Sequence, residues 1–241
     1  IVCLAAYIKR QLSIKVPVLD LHVFTYQGYR VGVMCLMLNF GITLAAMYVL
    51  PQFYQNAMLI AVAAAGVLML PGGLINAAVS VAAGTLFDRF GARGPVSIGF
   101  ACSALASAML MIATPETPIW YMVACHIIMM IGEPLAMSPC QTHALASLPP
   151  QLNSDGSTLM NTLQQVLGAI CTAVATCLLA AGQNTYFAAG GTDSALAFTE
   201  GSHIGFAFTL IMAVLGFFLA FRINLQKEQS AQKEGSVADA R

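Results

Sequence analysis

Between Val31 and Phe221 the chain carries only eight charged side chains: Asp88, Arg89, Arg93, Glu116, Glu133, Asp155, Asp193 and Glu200. Soluble domains draw about 25% of their residues from the charged types. Here the share is 8%, against 59% hydrophobic residues and a mean hydropathy of +0.79. Too few polar groups exist to cover a folded surface in water, so lipid is the solvent this sequence is built for.

A membrane-crossing helix needs about 20 largely apolar residues. Six stretches meet this: Gly28–Leu50, stopping at Pro51; Ala57–Gly84, broken in its middle by Pro71-Gly72-Gly73; Pro95–Ala113; Ile119–Ser147, ahead of Pro149-Pro150; Thr158–Ala181; and Ile204–Phe221. The opening run Ile1–Tyr7 has no charged leader and reads as the end of a preceding transmembrane helix, which makes the chain a fragment of a longer protein. The implied division is 1–7 for that helix end, 8–27 for a cytoplasmic linker, 28–222 for six helices and 223–241 for a cytoplasmic tail. Residues 17–24 carry apolar side chains at 18, 19, 21, 23 and 24 and suit a short amphipathic piece lying on the membrane surface.

Helix alternation then puts every Lys and Arg on one side: Lys9, Arg10, Lys15, Arg30, Arg89, Arg93, Arg222, Lys227, Lys233 and Arg241. By the positive-inside rule that side is the cytoplasm of a cell membrane, with Pro149–Ser157 on it and Gly182–His203 outside. Tyr48, Phe53, Tyr54, Trp120 and Tyr121 fall at the outer ends of helices, where amphipathic rings favour the interface. Phe206, Phe208, Phe217 and Phe218 suit a lipid-facing role.

The zero formal net charge offers no basic patch for nucleic acid, and the seven cysteines contain no C-x-x-C pair. His22, His126, His143 and His203 are dispersed, and neither H-E-x-x-H nor G-x-S-x-G occurs. No enzyme, cofactor or metal site is read from the chain.

The turn Gly84-Thr85-Leu86-Phe87-Asp88-Arg89-Phe90-Gly91-Ala92-Arg93 resembles the signature loop of the major facilitator superfamily of secondary transporters. Residues 17–24, Leu50-Pro51-Gln52-Phe53-Tyr54-Gln55 and Asn161-Thr162-Leu163-Gln164-Gln165-Val166-Leu167-Gly168-Ala169 are similar to the fourteen-helix drug:proton antiporters of the EmrB/QacA type. The resemblance implies the C-terminal six-helix half of such a transporter, working by alternating access on the proton gradient with an N-terminal half. The substrates it implies are small, hydrophobic or cationic and drug-like; the alternative is an importer or symporter of a small metabolite. It also implies a gating role for Gly84, Asp88, Arg89, Gly91 and Arg93, beside which stands the plainer reading of a basic turn that fixes topology.

Glu133 is the sharpest single residue. An ionisable group within an apolar helix costs several kcal/mol and is a functional candidate by default. The other reading is a hydrated carboxylate near the helix end. His126, Glu133, Met137 and Gln141 share a face at helical spacing. In the resembled family the first and fourth helices of a half line the cavity, which adds Asn39 to a substrate and proton site. Pro134 frees a backbone carbonyl one turn back. Asn161, Gln164, Gln165 and Gly168 form a polar and small stripe suited to packing against the other half.

Overall fold

The computed structural model describes residues 19–223; the opening stretch Ile1–Tyr7, most of the linker and the tail beyond 223 lie outside the described residues. Within them a short 3-10 turn, Leu21–Thr25, precedes six helices: α1 (Gln27–Asn56), α2 (Val62–Phe90), α3 (Arg93–Leu110), α4 (Ile119–Ala146), α5 (Asn153–Ala188) and α6 (Ser194–Ala220). A second 3-10 turn, Pro150–Leu152, leads into α5. No strand occurs among the described residues.

All helices but α3 are long and apolar enough to cross a membrane. With 18 residues α3 is the shortest and rich in serine, but the chain has to return across the bilayer between α2 and α4. Its serines turn inward. Ser107 accepts a hydrogen bond from the Thr209 hydroxyl of α6 at 3.0 Å, and Ser103 donates to the Gly99 carbonyl at 3.1 Å. Polar groups buried among helices and bonded there cost little in lipid.

The helices run longer than the sequence signals suggest. Pro51 lies inside α1 rather than ending it, and Pro71-Gly72-Gly73 lies within an unbroken α2. The turn between α2 and α3 shrinks to Gly91-Ala92, so Gly84, Asp88 and Arg89 stand on α2 itself. α5 begins at Asn153 and, at 36 residues, ends at Ala188, leaving only residues 189–193 between α5 and α6 instead of a long external loop. The common cause is that lipid penalises any backbone group without a partner, so a helix continues through residues that would end it in water.

α1 and α4 form the centre. α1 packs on α4, α5 and α6; α4 packs on α1, α2 and α3; α3 and α6 close the far side against each other. α2 grips the bundle almost only through α4, and α5 through α1 and α6. Exchanging α1 with α4, α2 with α5 and α3 with α6 preserves the contacts of the two central helices and the closing α3–α6 pair, whereas the broad α5–α6 contact has only a slight α2–α3 counterpart.

Two apolar clusters fill the interior, one at each end. One gathers Val23, Tyr29, Val96, Phe100, Leu148 and Ile223; the other gathers Leu50, Phe53, Tyr54, Leu110, Met122 and Phe206. Phe53, Tyr54 and Phe206 are therefore core residues, not interfacial or lipid-facing ones, whereas Trp120 (71% exposed) and Phe218 face outward. The stretch around Leu21–Thr25 docks on the bundle instead of lying free. Val23 is fully buried, the Asp20 N–H donates to Asp155 Oδ2 at 3.0 Å, and the Tyr29 hydroxyl donates to the Gly156 carbonyl at 2.7 Å. Asp20, the Gly91 turn, Asp155 and Phe221 thus share one end of the molecule. The described cations Arg30, Arg89, Arg93 and Arg222 belong to that end and have exposed or half-exposed side chains.

Candidate functional site

Proline at position 134 has no N–H, so the carbonyl of Met130, four residues back in α4, loses its helical partner. A carbonyl in lipid needs a donor. The structure supplies one from α2: Asn76 Nδ2 donates to Met130 O at 3.1 Å. The same nitrogen donates its second hydrogen to Glu133 Oε2 at 2.8 Å. From the other flank, Asn39 Nδ2 of α1 donates to the Glu133 backbone carbonyl at 3.1 Å. Asn39 is buried, and its own carbonyl accepts from the Thr43 hydroxyl at 3.0 Å. Three helices thus meet around one residue of α4, and its carboxylate is half-buried.

Of the residues singled out from the sequence, Asn39 and Glu133 come together. His126 lies two turns away on α4, where its ring packs on Gly72 of α2; a Cβ on Gly72 would collide with the ring. Both ring nitrogens are buried without a hydrogen-bond partner among the described residues. Met137 packs into the apolar cluster at the arginine end, and Gln141 is half-buried one turn further on. The helical face that His126 and Glu133 share is therefore turned towards α2.

Asn76 was not among the residues the sequence singled out. The signal was present: Pro134 announces an unpaired carbonyl, and Asn76 is the one side chain between Val62 and Val79 that carries a hydrogen-bond donor. Nothing in the spacing says that α2 and α4 lie side by side and run parallel, which brings the two together.

At the arginine end, Gly91 closes α2. Its φ is +71°, and its N–H caps the Phe87 carbonyl at 2.8 Å. Asp88 and Arg89 are exposed on the last turn of α2 and make no ion pair among the described residues. The Arg93 guanidinium stacks over the Phe221 ring at 5.0 Å from its centroid, tying the start of α3 to the end of α6. Gly84 has open space around it. These groups share an end but form no interlocked cluster.

The α5 stripe divides. Asn161 and Gln165 are exposed, whereas Gln164 and Gly168 are buried. Gly168 faces Phe40 and Leu44 of α1, with room for no Cβ. Its packing is thus within this bundle, because two long helices approach closely where one lacks a side chain.

A family model described as Major Facilitator Superfamily matches residues 8–173. The lincomycin resistance protein LmrB of Listeria monocytogenes is 36% identical over 230 residues, which cover 94% of this chain and 49% of that protein. The LmrB protein of Bacillus subtilis is 34% identical, covering 88% of this chain and 45% of its own. The multidrug export protein EmrB of Haemophilus influenzae is 25% identical over 73% of this chain and 35% of its own. The chain spans about half the length of the LmrB relatives. A matching family model over most of the chain and a relative above 30% identity along nearly all of it decide the matter: the chain belongs to the major facilitator superfamily.

Proposed function

We propose that this chain is the six-helix C-terminal portion of a proton-coupled exporter of hydrophobic or cationic compounds. It works by alternating access together with a further set of helices. The names of the LmrB and EmrB relatives support an export role. The observation that carries the reading is Glu133. A half-buried carboxyl inside a membrane helix, with no cation bonded to it among the described residues, is a group that can exchange charge for a proton. Its carboxyl is bonded to α2 and its backbone carbonyl to α1, so the exchange takes place where three helices meet. The arginine end faces the cytoplasm in this reading, by the positive-inside rule, and the exposed faces of α2 and α5, Asn161 and Gln165 included, meet the other half. Gly84, Asp88, Arg89, Gly91 and Arg93 serve as the gate at that end.

The test is Glu133→Gln in the complete transporter, reconstituted in proteoliposomes under a proton gradient. Gradient-driven movement of a cationic fluorescent dye is expected to be lost while the amount of protein in the membrane stays near wild type. Flux and pH dependence equal to wild type would remove Glu133 from the coupling step.

A further inference from the structure

α2 is bound to the bundle along one face, where Leu68, Met69 and Phe87 also pack partly buried against the core. Along its 29 residues only Ala65, Gly72 and Ala83 are buried. With Asn76 they follow steps of seven, four and seven residues and lie on one face of the helix. Three of the four are alanine or glycine, which allow close approach and offer no bond. Asn76 alone on this line can hold α4 by hydrogen bonds.

Its two bonds differ in kind. The one to Met130 O is owed to a backbone carbonyl that Pro134 leaves free, an acceptor that does not titrate. That carbonyl only accepts, so it fixes the amide nitrogen, rather than the amide oxygen, against α4. The bond to Glu133 Oε2 goes to an atom whose charge can change. A hydrogen bond to an ionised carboxylate is roughly twice as strong as one between neutral groups. The helices packed on α4 bring no second carboxylate and no cation to this level. α1 brings Asn39, α3 the thiol of Cys102, and α2 no titratable group; the Cys35 thiol of α1 lies two turns away beside Cys140. The other titratable group on the α2–α4 contact is His126, two turns away against Gly72.

We propose that Asn76 is the positioning residue of Glu133 and the joint through which the charge on that carboxyl governs how firmly α2 is held to α4. With Glu133 ionised both bonds of the amide are made at full strength and α2 is fixed. With Glu133 neutral the carbonyl bond remains as a pivot and α2 is free to move about it. This rests on Glu133 being the proton-carrying group of the transporter.

The test places spin labels at Thr85 on α2 and Thr142 on α4, both exposed and bonded only within their own helices. The complete transporter is studied in nanodiscs at alkaline and acid pH. In the otherwise unaltered protein the label-to-label distance is expected to be narrowly distributed at alkaline pH and to broaden at acid pH. Glu133→Gln is expected to abolish the change, which separates it from any contribution of His126. Asn76→Ala is expected to give the broad distribution at both pH values. Asn76→Ala combined with Pro134→Ala restores an N–H for Met130 O within α4 and is expected to stay broad; it also carries the test if the single variant fails to fold. Retention of the wild-type pH response in either Asn76 variant would overturn the proposal, since Asn76 would then do no more than satisfy a carbonyl. Normal flux in Glu133→Gln would instead remove the coupling role and leave the joint to be judged by the distances alone.

Discussion

Gly99→Ala is the substitution whose consequence the geometry fixes most tightly. α3 and α4 cross with glycine against glycine. A Cβ on Gly99 would stand 2.6 Å from the Gly132 carbonyl oxygen, 2.8 Å from the Ala136 nitrogen and 2.9 Å from the Ala136 Cβ. Two of these atoms are backbone and the third is anchored directly to it, so no rotamer change relieves the crowding. Ordinary contact begins near 3.4 Å, so the helices have to part locally by about 0.8 Å, the shortfall against the carbonyl oxygen. A gap of that size forfeits about a quarter to a half of the dispersion energy of each facing atom pair. Overpacked sites cost about 1–3 kcal/mol, and three simultaneous clashes place this one near the top, about 2–3 kcal/mol. At roughly 2–4 °C per kcal/mol for a domain of this size, Tm falls by about 4–12 °C. The buried free thiols Cys35, Cys125, Cys140 and Cys171 make the assay simple: a thiol-reactive fluorogenic dye reports unfolding of the purified protein on heating. Gly73→Ala is the control, since nothing lies within 4 Å of its Cβ; its Tm is expected to hold or rise. A Tm for Gly99→Ala within about one degree of wild type, or an equal fall in Gly73→Ala, would refute the packing argument.

Gly91 has φ +71° and ψ −174°, a region open essentially to glycine alone. Both Gly91→Ala and Gly91→Asn are expected to cost about 1–3 kcal/mol in the same thermal assay, and a tolerated asparagine would show that a left-handed turn suffices. The Asp20 carboxyl is held below the usual carboxylate range, first by the His22 backbone N–H and then by the His22 ring. A lowered value in the folded state stabilises the Leu21–Thr25 turn at pH above the ordinary Asp range, and that contribution disappears as pH falls through the lowered value. Amide exchange at residues 20–26 is expected to stay slow through mild acid and to quicken only below it; equal quickening in Asp20→Asn across the whole range would remove the effect. For topology, a membrane-impermeant thiol reagent added outside intact cells carrying a cysteine-free complete transporter is expected to label a cysteine at 190 and to spare one at 89. Labelling at 89 would invert the orientation.

Helix number and order were legible because each crossing needs an apolar run, and the runs are separated by the few charges. The ends were less legible. Pro51 and Pro71 are strong stop signals in water, but in lipid stopping exposes more backbone than continuing does. The direction each aromatic faces was not legible at all for Phe53, Tyr54 and Phe206. Lipid tails and protein interior are equally apolar, so composition does not sort inside from outside. Glu133 stood out because a lone carboxyl among apolar residues is costly wherever it points. Asn76 did not, because its role comes from a neighbour 54 residues away in sequence and from a parallel pairing of helices that no local spacing encodes.

The contact pattern also bears on how the chain is assembled during synthesis. Among the described residues α1, α2 and α3 scarcely touch one another; their partners are α4, α5 and α6. As the ribosome delivers them, the first three helices therefore enter the bilayer as separate rods, and α3, the least apolar of the six, is the one lipid tolerates least without its partners. For α2 that means holding Asn76 exposed to hydrocarbon until α4 arrives. The emergence of α4 supplies the missing neighbour of all three together, and condensation of the bundle waits for that moment. In a nascent chain arrested before Ile119, α1, α2 and α3 should stand as independently inserted helices, open to the quality-control proteases of the membrane, whereas one arrested after Ala146 should already protect α2 and α3.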